Sequence, residues 1–301
     1  MRIVVVGAGG LGSYIGGVLD QAGHEVTLVA RGDHRAIIES DGLRVKSHAG
    51  DFVARPACVG SGLELEGAEL AFLATKTFSL DDVAPQLVHL AARGSAVVSL
   101  LNGVTARRRL AAAGIPAEKI ADGVAYMTAF RLEPGVVERK AAHQRIVVGD
   151  GAVSERVLGA FADTIVQVEV ADDVDVELWE KMAVVCPLTV LCAIGDRNMG
   201  SVRRHPFGAE LQRAAIGEVL SVGRAYGVAI PTDANARIDE RLDRFPDDFF
   251  PSVIHDLNSG RRTEMDDLGG TIARMGRELG VPTPLHDAGT LIVQRAELAS
   301  G

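Results

Sequence analysis

Six residues near the start, Gly7-Ala8-Gly9-Gly10-Leu11-Gly12, constrain the fold of this chain more than any other feature. They directly follow the apolar run Ile3-Val4-Val5-Val6 and open a segment, Ser13 to Gln21, that reads as a helix. G-x-G-x-x-G spacing between a strand and a helix marks a dinucleotide pyrophosphate site. The first glycine permits a tight turn, the second lets backbone approach the pyrophosphate, and the third allows close packing of helix on strand. The helix N-terminus then offers unpaired N–H groups to the anion. The bland alternative is a glycine-rich turn that binds nothing.

The pattern continues through the first half. Val26-Thr27-Leu28-Val29, Leu70-Ala71-Phe72-Leu73 and Ala96-Val97-Val98-Ser99 are short apolar runs without polar alternation. Such runs suit parallel strands covered on both faces, with helices as the crossovers. Ser79 with Asp81 and Asp82 reads as the start of one such helix. At the end of the second run stands Arg31, where a fold selective for NAD usually places an acid for the ribose 2′-hydroxyl. A guanidinium there suits a 2′-phosphate, which favours NADP(H). Asp33 would be that acid if the register were shifted, and a solvated surface arginine is the remaining alternative.

From about Ile120 to Val170 the texture becomes β-like, with a Glu133-Pro134-Gly135 turn. After Asp172-Asp173 long helical patterns take over, interrupted by Pro206, Pro231, Pro251, Pro282 and Pro284. The expected organisation is a nucleotide-binding domain over residues 1–172 and a helical domain over 173–301.

Charge narrows the partners. The chain of 301 residues carries 31 Lys+Arg against 40 Asp+Glu, net −9. That balance excludes a chain-wide nucleic-acid surface, which must be basic, and a polybasic membrane surface. Cys58, Cys186 and Cys192 show no metal-ligand or disulfide-framework spacing, so no metal site is expected. No apolar stretch approaches the ~18–20 residues of a membrane span, and the N-terminus does not read as a signal peptide. A soluble cytoplasmic protein is expected, with a homodimer left open.

One compositional asymmetry points to chemistry. Residues 172–301 contain 13 arginines and a single lysine, Lys181. Arginine cannot release a proton near neutrality, whereas burial or a nearby cation can tune a lysine toward it. Lys181 is therefore a candidate for proton transfer. The competing reading is a helical ion pair with Glu177, four residues earlier.

The chain resembles the ketopantoate reductase (2-dehydropantoate 2-reductase) family over nearly its whole length. The segments that carry the resemblance are Gly7–Gly12, Arg31, Ala74-Thr75-Lys76, Leu101-Asn102-Gly103, Glu177–Lys181, Pro251-Ser252 and Gly260–Asp266. It implies an α/β Rossmann-type dinucleotide-binding domain followed by an all-α C-terminal domain, with substrate and nicotinamide in the cleft between them. It implies NADPH-dependent reduction of a 2-oxo acid to a 2-hydroxy acid, by default ketopantoate to pantoate. Carried over by motif, Lys181 would protonate the carbonyl oxygen and Glu264 would anchor the reacting hydroxyl. Asn102 would orient nicotinamide and substrate, and Ser252 would hold the substrate carboxylate. Gly7, Ala8, Gly9, Gly10, Leu11, Gly12, Arg31, Lys76, Asn102, Ala129 and Glu264 would contact the cofactor. The plainer readings are an Asn-Gly turn at Asn102, a helix cap at Ser252, and a helix-start carboxylate at Glu264 beside a capping Thr263.

The resemblance fails at three places. Family members usually carry asparagines four and eight residues after the lysine, on its helical face; this chain has Val185 and Thr189. Pro187 lies in the same helix and is expected to kink it. A third asparagine, three residues before the family serine, is here Phe249. Losing a hydrogen bond to a polar substrate group costs ~1–3 kcal/mol when its partner stays buried. The leading expectation keeps ketopantoate as the default substrate, with the hypothesis that the reductase chemistry survives while the substrate has drifted to a more apolar 2-oxo acid. The alternatives are another oxo compound or an imine on the same scaffold, and a non-catalytic NADP(H) sensor. A sensor would need neither Lys181 nor Glu264.

Overall fold

The computed structural model of the chain describes residues 1–140, 144–195 and 198–300. Contacts divide it into two compact units, residues 1–101 with 105–174 and residues 102–104 with 175–301.

The first unit opens with Arg2–Val6 (β1), Gly10–Gln21 (α1), Glu25–Val29 (β2), Gly32–Asp41 (α2), Leu43–Ser47 (β3), Phe52–Ala54 (β4) and Ala57–Val59 (β5). Leu70–Leu73 (β6), Leu80–Ala92 (α3), Ala96–Ser99 (β7) and Ala106–Ala112 (α4) follow. Ile120–Tyr126 (β8), Ala129–Glu133 (β9), Val136–Arg139 (β10), Arg145–Gly149 (β11), Ala152–Phe161 (α5) and Gln167–Ala171 (β12) complete it. An eight-stranded sheet runs in the order β12-β11-β8-β7-β6-β1-β2-β5, and a four-stranded one in the order β4-β3-β10-β9. In the large sheet β1 pairs in parallel with β2 and β6. The β8–β11 pair is antiparallel.

The sheet explains the unbroken apolar runs. Alternate residues of β1 enter different cores: Ile3 and Val5 join Leu19, Leu28 and Phe72, while Val4 and Val6 join Leu73, Leu87 and Leu110. A strand buried on both faces has no solvent side on which to place polar residues. The small sheet packs on α1 through β9, β10 and β4.

Three sequence expectations change in detail. α1 starts at Gly10 rather than Ser13. The short strands β3–β5 fill the stretch between α2 and β6, where no strand was expected. α5 interrupts the stretch from 120 to 170 that read as β throughout. Its N-cap is Gly151, which makes no side-chain cap, so the usual Ser/Asp start signal is missing.

The second unit holds Val174–Ile194 (α6), Met199–Arg204 (α7), Gly208–Tyr226 (α8), Ala234–Asp243 (α9), Ser252–Asn258 (α10), Gly269–Leu279 (α11) and Pro284–Ser300 (α12). No strand occurs here among the described residues. α6 continues as one helix through Pro187, although proline removes a backbone donor. Its position on α8 is keyed by Trp179, 2% exposed. A β-carbon on Gly223 would lie 2.8 Å from the Trp179 ring, so only glycine leaves room for the indole. Lys181 follows two residues later on the same helix.

Candidate active site

In the first unit the glycine loop is specified by sterics. Gly7 has φ +107°, a region that L side chains rarely adopt, and lies against Thr75. A β-carbon on Gly12 would overlap the Gly7 carbonyl oxygen, and one on Gly10 would overlap the Ala129 carbonyl. Gly9 differs: no heavy atom lies within 4 Å of where its β-carbon would stand. The loop is thus closed on its protein sides and open at Gly9. Ala8 is buried and donates its N–H to the Val29 carbonyl at 3.3 Å; Leu11 packs against the same core.

The neighbouring strand ends supply the remaining groups. Arg31 is exposed and is the N-cap residue of α2, where Gly32 at φ +56° turns the chain. Asp33 falls in the first turn of α2, the end of a helix where a carboxylate is electrostatically favoured. Past β6, the Ala74 N–H donates to the Val6 carbonyl at 2.9 Å. That bond brings Lys76, which caps a short 3-10 turn over Thr77–Ser79, to the carboxyl end of β1. Open α/β sheets bind ligands at this end of the strands. The Thr75 hydroxyl beside Gly7 is buried without a hydrogen-bond partner. Buried polar atoms are rarely left unpaired in native folds. An open glycine approach, an orphaned hydroxyl and two cations at the strand ends fit a dinucleotide. Thr75 lies inside the Ala74-Thr75-Lys76 motif, yet sequence gave it no separate role, because an orphaned hydroxyl is visible only in the packed structure.

In the second unit, Lys181 is partly buried on α6. Burial pushes its ammonium down to about 8; Glu264 pulls against the shift and Arg241 adds to it. Glu264 is 4% exposed and stands in the bend before α11 rather than in that helix. The bend is well braced. The Thr263 N–H donates to Glu297 Oε1 at 2.6 Å, and the Thr263 hydroxyl accepts from the Met265 N–H at 3.1 Å.

The contact division places Asn102 in this same unit, together with Lys181, Ser252 and Glu264. Gly103, at φ +103°, lies against the Asp267 carbonyl, and Val104 packs on the helical core. The Asn-Gly turn and the family role are therefore compatible readings of Asn102. Ser252 is exposed at the first position of α10; Pro251 is the N-cap and makes no side-chain cap. Arg241, in the last turn of α9, carried no sequence signal, since nothing in spacing ties it to a lysine sixty residues earlier.

The three departures from the family pattern have clear fates. Thr189 is fully buried and donates its hydroxyl to the Val185 carbonyl at 2.7 Å, one turn back on its own helix. Val185 is apolar and packs on the helical core. Phe249 packs on that core too, with its ring centre 4.5 Å from that of Phe245. None of the three presents an uncommitted amide.

Comparison with known proteins supports the fold and the family. Residues 3–152 match the family model described as Ketopantoate reductase PanE/ApbA, and residues 173–297 match its C-terminal counterpart. A ketopantoate reductase structure from Ralstonia eutropha JMP134 superposes with TM-score 0.92 at 30% identity, covering 100% of this chain and 99% of that one. A 2-dehydropantoate 2-reductase of Halobacterium salinarum is 29% identical over 95% of each chain. A D-mandelate dehydrogenase in complex with NADH superposes with TM-score 0.87 at 25% identity, covering 99% of each chain. Among the described residues no helix is long and apolar enough to cross a membrane. The chain belongs to the ketopantoate reductase family and is an oxidoreductase acting on CH–OH groups, of the type that reduces 2-oxo acids.

Proposed function

We propose that this chain is an NADPH-dependent 2-oxo acid reductase, with residues 1–172 serving the dinucleotide and 173–301 the acid, and that its substrate is more apolar than ketopantoate. The observation that carries the reading is Lys181, lowered by burial to about 8 and acted on by the buried Glu264. A general acid works best with a pKa near the operating pH.

When bound, NADPH would supply the hydride that reaches the carbonyl carbon. Lys181 gives a proton to the carbonyl oxygen, so the developing alkoxide is neutralised as it forms. Glu264 holds the Lys181 ammonium and the reacting hydroxyl, Asn102 orients the acid, and Ser252 hydrogen-bonds its carboxylate. Solvent returns the proton to Lys181 after product leaves. Arg31 favours NADPH because its guanidinium pairs with a charged 2′-phosphate far more strongly than with a neutral 2′-hydroxyl. Gly7 to Gly12 and Thr75 receive the diphosphate, with Lys76 and Ala129 beside them. The NADH bound by the D-mandelate dehydrogenase makes NADH the control cofactor.

The substrate shift rests on Val185, Thr189 and Phe249. A polar 2-oxo acid would find an isopropyl group, a committed hydroxyl and a phenyl ring where amides usually stand. The mandelate name of one similar structure concerns an aryl-substituted acid, in keeping with an apolar wall.

An NADPH-oxidation assay over a panel of 2-oxo acids, with Lys181→Ala alongside, tests the reading. Higher kcat/KM for branched or aryl acids than for ketopantoate, abolished in Lys181→Ala, is expected. A strong ketopantoate preference overturns the substrate shift. Reduction of no acid, or full activity in Lys181→Ala, overturns the mechanism.

A further inference from the structure

Behind the glycine loop lies a charge that the proposed reaction does not use. Arg139 ends β10 and is 2% exposed. Its Nε and Nη1 atoms are buried without a hydrogen-bond partner. The neighbouring carboxylate of Glu138 is engaged elsewhere, with Lys140 at 3.6 Å. Among the described residues no carboxylate forms an ion pair with Arg139. Arginine cannot discharge itself by losing a proton. The fold therefore holds a buried cation without a counter-charge, an arrangement that is ordinarily strongly unfavourable.

The sheet fixes where this charge stands. Arg139 is directly opposite Ala129 in the antiparallel β9–β10 pair. Directly opposed residues project from the same face of a sheet. The Ala129 carbonyl is the group packed over Gly10, the first residue of α1. The Arg139 guanidinium carbon lies 5.9 Å from the ring centre of Tyr14, on the same helix. Tyr14 follows Gly10 by about one turn, a rise of ~5–6 Å. Tyr14 offers the cation a hydrogen bond but no formal charge: its hydroxyl donates to Gln144 Oε1, and burial pushes its phenol upward against the charge and hydrogen bond of Arg139.

We propose that Arg139 is a fixed positive charge for the anion received at the glycine loop, and that its counter-ion is the diphosphate of the bound dinucleotide. The α1 N-terminus supplies N–H groups and a partial charge. Arg139 adds a full charge from the interior, where salt screens weakly. The inference rests on the dinucleotide reading of the loop but not on its NADPH selectivity. Arg139 acts on the diphosphate common to NADPH and NADH, whereas Arg31 acts on the 2′-phosphate of NADPH alone.

The test measures equilibrium affinity for NADPH, NADH and ADP-ribose by calorimetry, together with the thermal midpoint of the ligand-free protein. Arg139→Met, Arg139→Lys and Arg31→Ala are compared. Arg139→Met should weaken all three ligands about tenfold, through loss of one unit charge in the weakly screened interior. Arg139→Lys should stay within about threefold of the parent, because charge rather than geometry is required. The ligand-free Met variant should melt at or above the parent, since an uncompensated buried charge has gone. Parent-like affinity in Arg139→Met overturns the proposal. So does a lowered ligand-free midpoint in that variant, which would make Arg139 a structural residue. If Arg31→Ala leaves the NADPH-to-NADH preference unchanged while Arg139→Met weakens both, the selectivity reading fails and this one stands.

Discussion

At the glycine loop the determinants are backbone and space; on α6 they are side chains in a tuned environment. Gly7, Gly10 and Gly12 are each required because a β-carbon would meet a neighbour's backbone. The pKa of Lys181 is set by burial, Glu264 and Arg241 together. Steric requirements tolerate almost no replacement, so the loop preserves its motif intact. A tuned side chain depends on its wider surroundings, and on the helix that carries Lys181 the positions one and two turns along are the apolar Val185 and the committed Thr189. The difference teaches that a loop set by sterics must keep its motif, whereas the surroundings of a tuned lysine are free to vary, which is where the proposed substrate shift is to be tested.

Two substitutions within the loop test this most severely. Gly12→Ala would drive a methyl into the Gly7 carbonyl oxygen, with the Ala74 β-carbon 3.1 Å away and no flexible side chain to yield. A loss of ~4 kcal/mol or more is expected, seen as insoluble protein or a collapsed thermal midpoint. Gly9→Ala meets no atom within 4 Å and should melt like the parent. It should nevertheless bind NADPH at least about tenfold more weakly, because the added methyl occupies the line of approach to the diphosphate. Equal stability in the two variants would break the steric account of the loop.

The lysine should show a graded response instead. Protonation of the carbonyl oxygen requires the ammonium form, so kcat for reduction should fall as pH rises through about 8, the value set by burial. Lys181→Ala should lower kcat by ~10²–10⁴-fold with an intact fold. Lys181→Arg keeps the charge but cannot release it, so its residual activity should lose that titration. A pH profile identical in parent and Lys181→Arg would remove Lys181 from the proton-transfer step.

Legibility in the sequence follows the same division. The strand–glycine–helix order and the doubly buried runs of β1, β6 and β7 were readable because strong local rules act there. α5 and β3–β5 were missed: Gly151 gives no cap signal, and strands of three to five residues carry too little pattern. At the site, Lys181 stood out only because arginine is used everywhere else in its half of the chain. Glu264 was readable through the family motif, but its place in a bend ahead of α11 was not, since the bracing Glu297 lies on a distant helix. Arg241, Thr75 and Arg139 owe their importance to burial or to charges remote in sequence, and no spacing rule encodes that.

The smallest expected effect tests whether the loop unit is free of tuned side chains, and His34 shows that it is not. His34 is 4% exposed and bridges three segments: its Nδ1 accepts from the Gly135 N–H at 2.9 Å, and its Nε2 lies 3.0 Å from the Ser13 hydroxyl. With Nδ1 accepting, the ring proton is on Nε2 and points at Ser13. Burial, reinforced by Arg131, lowers the imidazole pKa to about 4 from 6.5. His34 and Ile38 are the buried residues of α2, the helix that Arg31 caps. Between pH 6.5 and about 4 the unfolded chain binds the proton that the folded one refuses, so stability rises with pH across that window. Acidification through it should cost up to about 3 kcal/mol, followed as a falling urea midpoint. In His34→Gln, whose amide can both accept and donate but does not titrate, the slope in that window should flatten. An unchanged slope would mean that other groups govern the acid response, and the steric description of the loop unit would then need no exception at α2.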